Sequence, residues 1–342
     1  MDLSERKKKI LSAVIETNIK SSQTEAVSSK QLQEEHLPKV SSATIRNELN
    51  ALEEMGYLTH PHTSAGRVPT KEGYEKYISE LMQEKKLTQK EKEIIKSNFS
   101  NKLVSLKDII EKTAKTISSA TNYTSIVYSS PEDNAIIRDI KLYSVTGKTQ
   151  LVVVVTSERV INELSNLGTN DEDDLISASQ ILKDVFVGKT LSAIKDDSFR
   201  DKVISSELQK YKFVFDKVID IISSNENNYL GDMSIAGKDK LIEYPEFDSV
   251  QKVKKAVSVL DDKELMIPLI KSGNDLELSI NVGSNQNGLE DCSVVTVTCN
   301  VSGKKKITAG VIGPMRMDYQ KAVSVLKEVA DTIENSLDGK LE

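Results

Sequence analysis

At 342 residues the chain exceeds the length at which a single hydrophobic core stops growing, so two or three domains are expected. A composition of 38% hydrophobic and 29% charged residues with a net charge of -6 excludes wholesale disorder and fibrous architectures, and argues against a general nucleic-acid coat. The longest purely apolar run, Leu151 to Val155, is too short to span a bilayer, and Glu16, Asn18 and Lys20 interrupt any signal-like start, so a cytoplasmic protein is expected.

The apolar residues Ile10, Leu11, Val14 and Ile15 predict an amphipathic helix from Ser4 to about Lys20. The polar run "SSQTEAVSS" breaks it, after which Ser28 or Ser29 caps a short helix that Pro38 terminates. Ser41 or Ser42 caps a third helix with Ile45, Leu49 and Leu52 on one stripe, closed by Gly56 where a left-handed residue is easiest. "YLTHPHTSAGRVPT" then reads as two short strands around a Ser-Ala-Gly turn, a wing. Thr70 caps a helix to about Lys86, the box Thr88 with Glu91 starts another, and Ser105 begins a third through Ser118.

From Ile136 the period changes to that of strands in "IIRDIKLYSV" and "QLVVVVTS". Helical segments are expected to interrupt this sheet from about Ser157 to Ala236, with Leu175, Ala178, Leu182 and Val185 on one and Leu208, Tyr211, Phe215, Val218 and Ile222 on another. Strands resume near "LELSINV", "CSVVTVTCNV" and "KITAGVIG", before a closing helix capped by Asp318. That order suits an insertion into an α+β domain better than two separate sheets.

Few residues offer catalytic chemistry. His36, His60 and His62 all precede the downstream region, which is left without an imidazole for a Ser-His-Asp arrangement, and two histidines near a turn are too few for a metal. "GKT" at Gly147 and at Gly188 lacks the first glycine of a phosphate loop, so both read as turns or a helix end. "NDEDD" from Asn170 lacks the later glycine and glutamate of a calcium loop and reads as a solvated helix start. Cys292 and Cys299, seven residues apart on one strand, point to opposite faces and are not expected to pair. No cofactor, metal or enzymatic activity is expected.

The third helix carries the clearest signal. With Ile45, Leu49 and Leu52 buried, a turn of about 100° per residue sets Ala43, Asn47 and Asn50 nearly opposite, flanked by Arg46 and Thr44. Arg can make two hydrogen bonds to guanine, Asn two to adenine, and Ala or the Thr methyl can meet thymine. A preceding short helix, a tight turn and a following hairpin raise this above a solvated helix face, because a helix-turn-helix presents its second helix to the major groove in this order.

At these residues, "SSATIRNELNALEEMGYL" with "PHTSAGRVPTKEGY" resembles the signature of the HrcA heat-shock transcription repressors, and "LSERKKKIL", "VGSNQNGLEDCSVV" and "GVIGPMRMDY" extend the resemblance over essentially the whole chain. The resemblance implies an α+β multidomain protein: an N-terminal winged helix-turn-helix at 1–87, a GAF-like α+β domain at 88–156 plus 237–342, and a mainly helical dimerising domain inserted at 157–236. It further implies a homodimer that represses chaperone operons at an inverted-repeat operator in double-stranded DNA, with the chaperonin GroEL promoting the active repressor. Arg46, Asn47 and Asn50 are expected at base edges, Ser42 and Thr44 at phosphate or base near the helix start, and His62, Ser64 and Arg67 in the wing.

Some residues depart from the family pattern. "SSQTEAVSS" replaces a loop that commonly has Gly and Pro, Glu75 stands where a basic residue is usual, Met315 replaces a Thr and Cys299 an aromatic residue. Residues 1–86 hold 13 Lys or Arg against 13 Asp or Glu, leaving 33 against 39 downstream, so attraction to DNA must rest on a few well-placed cations and the salt dependence should be shallow. The rival reading is a small-molecule-responsive regulator with the GAF-like domain as sensor, which thermal shifts across metabolites would separate.

Overall fold

The computed structural model describes residues 3–21, 26–61, 66–99, 106–131, 135–169, 171–195, 209–228, 230–271, 278–284, 288–301 and 305–337. It divides into two compact units, Met1–Ser129 with Asp232–Glu342, and Ser130–Gly231.

The first unit opens with α1, Glu5–Lys20, whose cap Ser4 accepts from the Lys7 amide. Helix α2, Ser29–Glu35, is capped by Ser28, and α3, Ser42–Glu54, by Ser41. Ile10, Leu11, Val14 and Ile15 of α1 meet Leu32, Ile45, Leu49 and Leu52 in one buried cluster, as the helical periodicity requires. Gly56 has φ +83°, which lets the chain leave α3 through the left-handed region. Strands β1, Leu58–Thr59, and β2, Val68–Pro69, pair antiparallel as the expected hairpin.

A third strand position was not legible in the sequence. Val27, inside the polar run, exchanges two 2.9 Å backbone hydrogen bonds with Arg67 and so adds to the hairpin. Gly66 makes this approach possible, since a Cβ there would lie 2.2 Å from the Val27 carbonyl oxygen. Helix α4, Lys71–Lys76, is capped by Thr70 and continues as a π-helical turn, Tyr77–Leu81, after which Met82 is extended. The helix expected to reach Lys86 therefore ends earlier.

Helix α5, Gln89–Phe99, starts on the expected capping box. The Thr88 amide and hydroxyl donate to Glu91 at 2.9 and 2.8 Å, and those bonds, the backbone one foremost, hold the Glu91 carboxyl below its ordinary pKa. Helix α6, Leu106–Thr121, leads into β3, Thr124–Ser129. The remaining strands of this unit are β7, Asp232–Ala236, β8, Leu278–Asn281, β9, Cys292–Val301, and β10, Lys305–Pro314. They form an antiparallel sheet in the order β7-β3-β10-β9-β8. Val127, Val295, Val297 and Val311 on one face pack into the cluster that holds α5, α6 and the final helix, Tyr319–Leu337. Ile126, Tyr128, Val294 and Ile312 pack on the other with residues of Lys238–Ile242, Val250–Asp261 and Lys263–Lys271. Cys292 belongs to the second face and Cys299 to the first, both free thiols, as their odd spacing requires.

In the second unit β4, Ile137–Thr146, β5, Thr149–Thr156, and β6, Val160–Ser165, make a three-stranded antiparallel meander. Ile140, Val152, Val154 and Ile161 face the helices α7, Glu172–Phe186, α8, Leu191–Lys195, and α9, Lys212–Asn228. The Gly147 turn joins β4 to β5, and Gly188, with φ +83°, follows α7, so both "GKT" matches are the bland features expected. Asp171 caps α7 by accepting from the Asp173 amide at 2.9 Å, the solvated helix start read from "NDEDD".

Two expectations about the sheets need correction. The strands at 137–156 do not begin the sheet that resumes near Leu278; they stay with β6 in a sheet of their own, so the compact unit begins at Ser130 and not at 157. Their buried alternate residues are satisfied by α7 and α9, which follow directly in the chain. Strand β10 pairs with β3, a strand not expected from the sequence, and β7 is a strand where helix was expected.

Candidate nucleic-acid interface

The surface of α3 repeats the geometry read from its sequence. Ile45, Leu49 and Leu52 are buried, whereas Ala43, Arg46, Asn47 and Asn50 are exposed along the opposite face. Neither Arg46 nor Asn47 has a side-chain hydrogen bond or ion pair among the described residues, so both remain available to a ligand in front of the helix. Exposed Lys39 lies just before the helix start, where the unpaired amides of α3 also favour an anion.

Other expected residues are engaged within the protein. Ser42 Oγ lies 3.0 Å from Ser29 Oγ, tying α3 to the start of α2, and Thr44 Oγ1 lies 2.8 Å from the capping Ser41 Oγ. Glu48 turns back from the exposed face to Lys7 at 2.8 Å and Arg6 at 3.7 Å, as its helical position requires. His62 and Ser64 lie outside the described residues.

Arg67 corrects the picture of a wing cation projecting to DNA. Its side chain is only 12% exposed; Nη2 donates to Asn50 Oδ1 at 2.7 Å and lies 2.8 Å from Glu53 Oε2. The other Glu53 oxygen meets His60 Nδ1. One carboxylate thus joins the end of α3 to the residues that follow β1 and precede β2. The sequence marks His60 only as a residue near a turn and gives no sign of Glu53, because a pairing across a hairpin leaves no periodic mark.

A family profile described as the HrcA protein C terminal domain matches residues 107–323. The heat-inducible transcription repressor HrcA of Clostridioides difficile (strain 630) is 34% identical over 334 residues, covering 95% of this chain and 97% of that protein. The chain belongs to the HrcA family of heat-inducible transcription repressors. The HrcA of Desulforudis audaxviator is 31% identical over 344 residues, covering 99% of each chain. The crystal structure of a hypothetical protein shares the fold with a TM-score of 0.61 at 17% identity, covering 99% of each chain. Membership of the HrcA family makes this a repressor of transcription and not an enzyme, and a repressor of transcription binds DNA. No helix among the described residues is long and apolar enough to cross a membrane.

Proposed function

We propose that the protein is a dimeric repressor of chaperone operons that sets two copies of α3 in successive major grooves of an inverted-repeat operator. The observation that carries this reading is the exposed row Ala43, Arg46, Asn47 and Asn50, in which Arg46 and Asn47 have no side-chain partner among the described residues. Residues 1–87 act as a winged-helix reader and the five-stranded sheet with its helices as a GAF-like body. Arg46, Asn47 and Asn50 meet base edges and Ser42, Thr44, His62 and Ser64 fix register, while Arg67 is held back from the DNA by Asn50 and Glu53.

The dimer contact is assigned to the Ser130–Gly231 unit. On the face of its sheet away from α7 and α9, Leu151 lies between Tyr143 and Leu164, and Val155 beside Val160, in register. Tyr143 is 48% and Leu164 60% exposed, an apolar patch of the kind that marks a protein contact. Leu164→Glu is expected to weaken the dimer by about 2 kcal/mol or more, roughly 30-fold, because a charge would be closed into an apolar interface. Sedimentation at several concentrations reads this directly; an unchanged dimer would remove the sheet face from the contact.

GroEL promotes the active form by rescuing slow folders. Strand β3 must wait for β10, formed from residues beyond 304, with a whole unit synthesised between them. Such non-local pairing folds slowly and exposes edges meanwhile. Refolding from denaturant with GroEL, its co-chaperonin and ATP should raise the operator-binding fraction severalfold, and the absence of any gain would contradict this part of the reading.

A further inference from the structure

The cluster of Asn50, Glu53, His60 and Arg67 sets the chemistry of one base contact as well as joining helix to hairpin. A guanidinium carries only donors, so the Asn50 atom 2.7 Å from Arg67 Nη2 is the carbonyl oxygen and cannot be the amide nitrogen. Free on a helix surface, an Asn amide turns over easily and offers either a donor or an acceptor to a base. Here one orientation is imposed. Glu53 in turn holds the guanidinium, with Oε2 at 2.8 Å from Nη2 and its second oxygen on His60, so the oxygen of Asn50 is drawn toward the hairpin from a fixed point. The amino group of Asn50 has no hydrogen bond among the described residues.

We propose that Glu53 and Arg67 are positioning residues that present Asn50 to the operator as a hydrogen-bond donor, so that the base it meets must offer a major-groove acceptor and cytosine is refused. Adenine N7, guanine N7 and O6, and thymine O4 all accept, whereas cytosine presents its N4 amino group, donor against donor. The guanidinium charge beside Oδ1 also weakens that oxygen as an acceptor for a second donor. Specificity at this base arises partly from repulsion, and the residues responsible do not touch DNA themselves. The inference rests on the proposed base contact by Asn50.

The test is a competition titration with operator duplexes that carry each of the four base pairs in turn at every half-site position. Wild-type protein is compared with Asn50→Ala, Arg67→Met, Arg67→Lys and Glu53→Gln, each checked for a native circular dichroism spectrum. Asn50→Ala locates the position Asn50 reads, as the one where preference is lost. There the wild type should disfavour cytosine by about tenfold or more, and Arg67→Met should bring cytosine within about threefold of the best base. Arg67→Lys, still only a donor, should restore much of the refusal, and Glu53→Gln, which keeps the side-chain size, should relax it if Arg67→Met does not fold. A loss of affinity in Arg67→Met that is uniform over the four bases, with cytosine still refused, would overturn the proposal and leave Arg67 a strut or a phosphate contact. No position affected by Asn50→Ala would instead overturn the base contact beneath it.

Discussion

Arg316→Met is expected to cost about 3 to 5 kcal/mol in the first unfolding transition in denaturant, the usual penalty for stranding one partner of a buried ion pair. Arg316 is 8% exposed, and its Nε donates to Glu246 Oε1 at 2.6 Å while Nη2 lies 3.5 Å from Oε2. Nη1 also donates at 2.6 Å to the carbonyl of Ser21, the residue that closes α1. One side chain therefore fastens the end of α1 to the body formed by the C-terminal residues. Glu246, 15% exposed, would be left charged without its partner. Removing both charges in Arg316→Met with Glu246→Leu should recover a good part of the loss, because the desolvation penalty disappears along with the attraction. A single variant within about 1 kcal/mol of wild type would show that the clasp contributes little. Where the clasp holds, Arg316→Met should also weaken operator binding, since a module free to turn must be ordered again on the DNA.

Arg46→Ala is the second large expectation, and it acts on recognition with stability spared. Arg46 is exposed, sits at the centre of the outward face of α3 and has no hydrogen bond or ion pair among the described residues, so its removal disturbs nothing inside the module. A bidentate contact to guanine is lost with it, about 1 to 3 kcal/mol of discrimination at one base per half-site. The charge matters too. With Arg67 neutralised by Glu53, and Lys7 and Arg6 turned to Glu48, Arg46 and Lys39 are exposed cations at the start of α3 with no ion pair among the described residues. Roughly four phosphates neutralised per dimer would give a slope of about -4 in log affinity against log salt, far gentler than that of a strongly basic reader.

The outward face of α3 was legible because the helix obeys one period and both ends carry explicit signals. Ser41 caps it, Gly56 releases it, and Ile45, Leu49 and Leu52 fix its rotation, so the exposed positions follow by subtraction. Local rules of the same kind gave the Thr88 and Glu91 box and the opposed cysteines. What escaped was non-local or lacked a period. Strand β3 is buried on both faces and shows no alternation; Val27 is a strand one residue long; the pairing of 137–156 with β6 is a choice among partners that strand propensity cannot make. The same limit hid the side chains that hold the module together. Glu53 with Arg67 and Arg316 with Glu246 and Ser21 are contacts between elements distant in the chain, and each residue alone looks like ordinary surface charge. The resemblance to HrcA repressors led to the expectation of an insertion at 157–236, whereas the compact unit set within the chain runs from Ser130 to Gly231, a limit that follows from the sheet topology.

The most direct measurement is footprinting of the purified protein on DNA upstream of chaperone operons, with wild type and Arg46→Ala side by side. Protection of both arms of an inverted repeat by the wild type, with the Arg46→Ala variant losing its preference for that site over sequences altered at one guanine in each arm, is the predicted result. Protection by Arg46→Ala at the same concentration and with the same base preference as wild type would contradict recognition through the outward face of α3.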